Sequence, residues 1–188
     1  SSGRLRFCPR CSGRFSTADI VCPIDGEVLV EDPEALVDTT IDGLYHVTRM
    51  IGRGGFGVVY LARHALLRDF VAIKVLPRQL SSDPERIERF LREGRAARAI
   101  SHPNLVTVYD LRASKDGLTY MVQEYVEGHT LRDELELRGK FVPGDALTLL
   151  EPIAAALDEA HAHGIVHRDM KPDNIMLSVS GAKRTAKL

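Results

Sequence analysis

Apolar and polar residues along this chain keep three different rhythms, and the changes from one to the next divide it. From about Tyr45 the alternation is that of strands. Residues 45–51 climb into Gly52-Arg53-Gly54-Gly55-Phe56-Gly57, and 58–62 continue as the returning strand, which predicts a hairpin with a glycine-rich tip. Residues 70–76 form a third apolar strand with one lysine, Lys74, in its middle. Ser82-Asp83-Pro84 is helix-start chemistry, and the chain then takes a helical period over 84–99, with Ile87, Phe90, Leu91, Ala97 and Ile100 on the inner face. Two more strands are expected over 105–111 and 118–126, and a short helix over 130–138. A long helix follows over 143–163, where Ala146, Leu149, Leu150, Ile153, Leu157 and Ala160 recur at helical spacing. Residues 177–180 and 186–188, with a turn at Gly181, close the chain as two strands. Ahead of all this, residues 28–40 have no period; acidic residues and Pro33 stand among scattered apolar ones, and the stretch reads as a linker.

Bulk composition narrows little. A hydrophobic content of 44% over 188 residues is enough for a real core. Lys and Arg total 25 against 26 for Asp and Glu, so no net field marks the surface for nucleic acid or anionic lipid. Arg4, Arg6, Arg10 and Arg14 admit a nucleic-acid contact, but they equally solvate a leader, and no nucleic-acid partner is expected. With no signal-peptide pattern and no apolar run of membrane length, the expected location is the cytoplasm.

The cysteines change the picture at the N-terminus. All three fall within the first 22 residues. Cys8-Pro9-Arg10-Cys11 is a C-x2-C turn, and Cys22-Pro23-Ile24-Asp25-Gly26 repeats it with an aspartate in the fourth slot. This resembles a small zinc ribbon, with Cys8, Cys11, Cys22 and Asp25 as the ligands of a Zn²⁺. The alternative is a turn-rich leader with free thiols, in which Asp25-Gly26 is only a tight turn. About 25 residues bury too little to fold unaided, so without metal the segment is expected to be disordered.

The densest chemistry lies in His167-Arg168-Asp169-Met170-Lys171-Pro172-Asp173-Asn174, where an acid, a base and an amide share eight residues ahead of an apolar run. Upstream, Gly52, Gly54 and Gly57 let backbone amides approach phosphate oxygens without obstruction by Cβ atoms. A dinucleotide-binding turn uses the same letters but opens a helix, whereas Val58, Val59 and Tyr60 argue for a strand. Lys74 inside an apolar strand is costly unless paired. Together these motifs resemble the eukaryotic-type serine/threonine protein kinases of bacteria. The resemblance implies an α+β, protein-kinase-like fold. An antiparallel five-stranded small lobe with its helix C comes first, then the opening part of a helical large lobe, with the zinc-ribbon-like module ahead of both.

The resemblance also assigns roles. It implies that Asp169 accepts or orients the proton of the acceptor hydroxyl, Lys171 touches the γ-phosphate and Asn174 binds Mg²⁺. The glycine-rich stretch (Gly52, Arg53, Gly54, Gly55, Phe56, Gly57, Val58) would cover the phosphates of ATP. Lys74 would bind the α- and β-phosphates and pair with Glu93 on the helix. Gln123 would guard a pocket behind the adenine. The carbonyl of Glu124 and the amide of Val126 would read the adenine edge, with Tyr125 between them, and Ile51, Val59, Ala72 and Met176 would sandwich the ring. Gly94, where alanine is commoner, should weaken the helix by about 1 kcal/mol. His102 is expected to hydrogen-bond in its turn rather than act as a ligand, His161 and His163 to end the long helix rather than bind metal, and His167 to pack and hydrogen-bond rather than carry a proton.

The resemblance covers about residues 44–188. The expected organisation is a ribbon-like segment (1–27), a linker (28–43), a small lobe (44–126) and the start of a large lobe (127–188). The family's D-F-G and activation segment would follow, so the chain is expected to be truncated before them, exposing the apolar face of its main helix. Two functions stay open: an ATP- and Mg²⁺-dependent kinase acting on protein Ser and Thr hydroxyls, encoded here in part and expected to be inactive as this chain alone, or a non-catalytic nucleotide-binding or adaptor module.

Overall fold

The structure is a computed structural model and describes residues 5–8, 10–54, 57–76, 84–115, 117–180 and 183–188. In chain order its strands and helices are β1 (Arg6–Phe7), β2 (Arg14–Phe15), β3 (Val30–Glu31), β4 (Thr40–Ile41), β5 (Tyr45–Gly54), β6 (Gly57–His64), β7 (Phe70–Leu76), α1 (Pro84–Arg98), β8 (Val108–Ala113), β9 (Thr119–Glu124), β10 (His129–Thr130), α2 (Leu131–Arg138), α3 (Pro143–Ala162), β11 (Met176–Ser180) and β12 (Lys183–Lys187). The chain divides into two units. One is Ser1–Gly94 with Asp110–Gln123, and the other is Arg95–Tyr109 with Glu124–Leu188.

In the first unit a six-stranded sheet runs in the order β4-β5-β6-β7-β9-β8. Period-2 alternation gives its strands two different faces. Val58, Tyr60 and Ala62 of β6, Val71, Ile73 and Val75 of β7, and Tyr120 and Val122 of β9 form one core. The intervening residues, among them Val59, Ala72, Lys74 and Met121, therefore lie on the opposite face. Of the expected inner face of α1, Phe90 is buried, Ile87 and Leu91 are half-buried, and Gly94 is buried as well. The expected helix start at Ser82 and Asp83 lies outside the described residues.

The stretch read as a linker carries structure. β3 pairs with β1, a 3₁₀ turn spans Pro33–Leu36, and β4 adds a sixth strand to the expected five by pairing with β5. Leu36 packs on the sheet core and Ile41 belongs to it. The buried Tyr60 hydroxyl donates to the Pro33 carbonyl at 2.5 Å, and Tyr120 donates to Asp42 at 2.6 Å. Each short element contributes one apolar residue or one acceptor, so no period betrays it.

In the second unit Leu131, Ile153, Ile175, Leu177 and Ala186 form a core between α2, α3 and the sheet β10-β11-β12. Thr130 and Asp133 make a reciprocal capping box at the start of α2, so Thr130 caps the helix expected over 130–138 and Leu131 begins it. Just past the end of α3 the chain turns at Gly164 (φ 73°), and the Ile165 amide returns to the Ala160 carbonyl at 2.9 Å. Leu149 and Leu150 of α3, with Leu135, Phe141, Met170 and Pro172, line an open apolar groove of about 520 Å³. Among the described residues, no helix is long and apolar enough to cross a membrane.

Candidate nucleotide site and catalytic loop

β5 and β6 pair as far as Gly54 opposite Gly57, with Arg53 opposite Val58 and Gly52 opposite Val59. Gly55 and Phe56 of the tip lie outside the described residues. The glycines do different work. Gly57 has φ 137°, and a Cβ there would stand 2.3 Å from the Val75 carbonyl oxygen, so the approach of β7 itself demands glycine. A Cβ on Gly52 would meet nothing closer than Val59 at 3.8 Å, so the fold does not demand glycine there.

Val59 stands opposite Lys74, and Leu61 opposite Ala72, which puts Val59, Ala72 and Lys74 on one face of the sheet. Ala72 is buried; Ile51 and Val59 are half-buried. Lys74 Nζ lies 4.0 Å from Glu93 Oε2, the glutamate named from sequence, and Arg89 Nε lies 3.5 Å from the other Glu93 oxygen. Burial pulls the Lys74 ammonium below its ordinary pKa, and the Glu93 charge opposes that shift. The approach of α1 is close. A Cβ on Gly94 would come within 3.0 Å of both Leu111 Cδ1 and Met121 Cε, so the residue that weakens the helix also lets it settle on β8 and β9.

In the second unit the side chains of Asp169, Lys171 and Asn174 come together. Asn174 Nδ2 donates to the Asp169 carbonyl at 2.7 Å and to Asp169 Oδ2 at 3.1 Å, and Lys171 Nζ lies 3.1 Å from the same Oδ2. A 3₁₀ turn over Pro172–Asn174 brings the amide back beneath the carboxylate. Arg168, at φ 64°, takes the left-handed conformation that turns the chain into it. Asp169 Oδ1 has no partner among the described residues. The Lys171 and Asn174 hydrogen bonds hold the Asp169 carboxyl below the usual carboxylate range, so it is ionised at neutral pH. Its exposed side chain can then accept a hydrogen bond and aim a hydroxyl. Asn174, having turned its amide nitrogen to Asp169, keeps Oδ1 as a hard oxygen ligand of the kind Mg²⁺ takes.

Gln123 is the last residue of the first unit, and Glu124 opens the second stretch of the second unit. The Glu124 amide donates to the Thr107 carbonyl at 2.8 Å, and its carboxylate receives Lys187 at 2.5 Å. Val126 is buried, and its amide has no partner among the described residues. Met176, half-buried in β11, sits opposite Thr130 and Lys187. One residue of this unit escaped sequence reading. Glu134 is 5% exposed and receives His129 at 2.6 Å, Arg184 at 3.3 Å and Arg138. The His129 hydrogen bond, chiefly, keeps its carboxyl below the usual range. The i,i+4 spacing to Arg138 was a visible signal, but Arg184 is not a neighbour in sequence.

At the N-terminus the two knuckle turns meet. Cys8, Cys22 and Leu29 are buried together, with Phe15 against them. Cys8 Sγ lies 3.4 Å from both carboxylate oxygens of Asp25, and Cys11 Sγ lies 3.6 Å from Cys22 Sγ. All four ligand atoms fall within 4.8 Å of one another. A tetrahedral zinc separates two thiolate sulfurs by about 3.8 Å, and a sulfur from a carboxylate oxygen by about 3.5 Å, so the donor set fits that ion. Burial pushes the Cys22 thiol up to about 12, although the Ile24 and Asp25 amides favour its thiolate. The Glu27 amide, chiefly, holds the Asp25 carboxyl below its ordinary range.

Comparison with known proteins agrees with these motifs. The model of the protein kinase domain family matches residues 45–188. The serine/threonine-protein kinase PrkC of Bacillus subtilis is 43% identical over 146 residues, covering 78% of this chain and 22% of PrkC. Myxococcus xanthus pkn3 is 38% identical over 146 residues, 78% of this chain and 27% of that protein. PknA of Mycobacterium tuberculosis is 42% identical over 149 residues, 77% and 35% respectively. Among solved structures, the PknI kinase domain of Mycobacterium tuberculosis superposes with a TM-score of 0.66 at 32% identity, over 80% of this chain and 60% of that one. A double mutant of the same domain gives 0.69 at 32% identity, over 80% and 61%. The chain thus spans about a fifth to a third of the length of these curated relatives.

Proposed function

The chain belongs to the protein kinase family, and on that premise we propose that it carries the ATP site and catalytic loop of a serine/threonine protein kinase, which moves the γ-phosphoryl group of ATP to Ser and Thr hydroxyls of proteins. The observation that carries this reading is the convergence of Lys171 and Asn174 on one oxygen of Asp169, with the other oxygen left for a substrate hydroxyl. Lys74, held by Glu93, supplies positive charge for phosphate oxygens on the sheet face that also bears Val59 and Ala72. Gly52, which the fold does not require, keeps the backbone open to phosphate. The unpartnered Val126 amide suits the adenine edge. Mg²⁺ would be held by Asn174 Oδ1 together with phosphate oxygens and water, and when bound it would neutralise charge developing on the phosphates.

For the N-terminal segment we infer a Zn²⁺ site made of Cys8, Cys11, Cys22 and Asp25, supported by the spacing of their four donor atoms. Thiols used as ligands suit the reducing cytoplasm. The kinase reading is tested by ATP·Mg²⁺ binding to this chain. Lys74→Met should weaken binding at least tenfold, and equal binding by the variant would sink the site assignment. In a chain extended through the family's D-F-G segment, Asp169→Asn should slow phosphoryl transfer by about 10²–10⁴-fold. Nucleotide binding without transfer by that extended chain would favour the adaptor reading.

A further inference from the structure

Phe7 directly precedes the ligand Cys8, is buried at 8% exposure, and lies under the guanidinium of Arg53, 4.1 Å from ring centroid to Cζ. Arg53 stands between Gly52 and Gly54 in the strand that forms the glycine-rich tip, opposite Val58. A second tie runs beside the first. Arg14 of β2 binds Asp32 and Glu34 at 2.6 Å each, and between those two acids the Pro33 carbonyl accepts the Tyr60 hydroxyl of β6. The N-terminal segment therefore grips both strands of the hairpin. Among the described residues its own core is Cys8, Cys22 and Leu29 with Phe15 against them, too little to hold Phe7 in place by burial alone.

We propose that the N-terminal segment is a metal-dependent brace, in which Zn²⁺ at Cys8, Cys11, Cys22 and Asp25 fixes Phe7 beneath Arg53 and thereby orders the glycine-rich hairpin for nucleotide. The proposal rests on the zinc and ATP readings above and adds a coupling between them. Metal occupancy of a site outside the nucleotide pocket tunes nucleotide affinity through one aromatic ring. One cation–π contact corresponds to about a two- to thirtyfold change in an equilibrium constant.

The test uses the whole chain, loaded with zinc and then stripped by a chelator that is removed before assay. Metal analysis should give one Zn²⁺ per chain. ATP·Mg²⁺ affinity should fall about two- to thirtyfold on stripping and return when zinc is restored. Amide hydrogen exchange at Arg53 and Val58 should quicken in the stripped protein. Phe7→Leu keeps the ligands and an apolar side chain but deletes the ring; it should retain zinc, bind ATP as weakly as the stripped protein, and respond little to stripping. Bound zinc whose removal moves neither ATP affinity nor exchange overturns the brace and leaves the metal site standing. A chain that takes up no zinc overturns both. A chain that holds zinc but binds no ATP removes the nucleotide reading, and exchange then decides alone. Zinc-dependent protection that Phe7→Leu abolishes upholds the brace, and protection indifferent to Phe7 overturns it.

Discussion

Gly52 and Gly57 bracket the tip of one hairpin, yet alanine at each should act in opposite ways. At Gly57 the added Cβ would lie 2.3 Å from the Val75 carbonyl oxygen, a backbone atom that no rotamer change can move, and alanine would also have to adopt φ 137°. A backbone held in so sparsely populated a region costs about 1–3 kcal/mol. Relieving the clash means drawing β6 and β7 apart beside the Val58–Val75 pair, which forfeits ladder hydrogen bonds of about 0.5–1.5 kcal/mol each. Gly57→Ala should therefore lose about 2–5 kcal/mol, or about 5–15 °C in Tm for a chain of this size. At Gly52 the nearest atom is the Val59 Cβ at 3.8 Å, an ordinary contact, and φ is not in the left-handed region. Gly52→Ala restricts the unfolded chain and should leave Tm unchanged or raise it by a degree or two, about the effect of 0.4–1 kcal/mol. Its effect should fall on ATP, whose phosphates would meet the new methyl group. Thermal unfolding by circular dichroism, with ATP titrations on the folded variants, separates the two. A Gly57→Ala protein melting with wild type would refute the claim that β7 dictates that glycine. A Gly52→Ala protein with undiminished ATP affinity would refute the claim that a ligand dictates the other.

Three further outcomes follow from the charges. Lys74 is already below its ordinary pKa through burial, and Glu93 offsets part of that shift. ATP affinity should decline as pH rises through the depressed lysine value, and Glu93→Gln should move the decline to lower pH; coincident profiles would separate Glu93 from Lys74. Asn174→Ala removes a hydrogen bond that helps hold the Asp169 carboxyl low, so an NMR titration should show that carboxyl rising toward the ordinary range, and an unmoved titration would contradict the contact. Because a depressed carboxyl adds stability above its unfolded pKa and loses it as pH falls through the folded one, the buried Glu134 should matter at neutral pH and cease to matter in acid. Glu134→Ala leaves His129, Arg138 and Arg184 without their shared acceptor, costing about 1–3 kcal/mol at neutral pH. Melting curves of variant and wild type should converge on acidification, and an equal gap at both pH values would refute the role given to its charge.

What could be read from the letters was whatever several neighbouring residues demand together. The family likeness of the loop from His167 to Asn174 was legible because eight neighbouring letters carry it together, and the structure brings three of them, Asp169, Lys171 and Asn174, into contact. The strand over 70–76 was legible because Val71, Ile73 and Val75 share one face while Lys74 interrupts the other. Gly94 was half legible: its cost to the helix could be read, but its contacts with Leu111 and Met121 could not. The N-terminal 43 residues were least legible, because single contacts over long separations tie them in. Tyr60 reaches Pro33 across 27 residues, Tyr120 reaches Asp42 across 78, and Phe7 meets Arg53. None of these leaves a period in the chain. They alter where the small lobe should be considered to begin. A chain started at Leu44, one residue before the family match, would keep every residue of the proposed nucleotide site and yet leave the Tyr60 hydroxyl without its acceptor. An unpaired buried hydroxyl costs about 1–3 kcal/mol, and the sheet would also lose Ile41 and Leu36 from one core face. By packing and hydrogen bonding, the segment that looks like a tether belongs to the sheet.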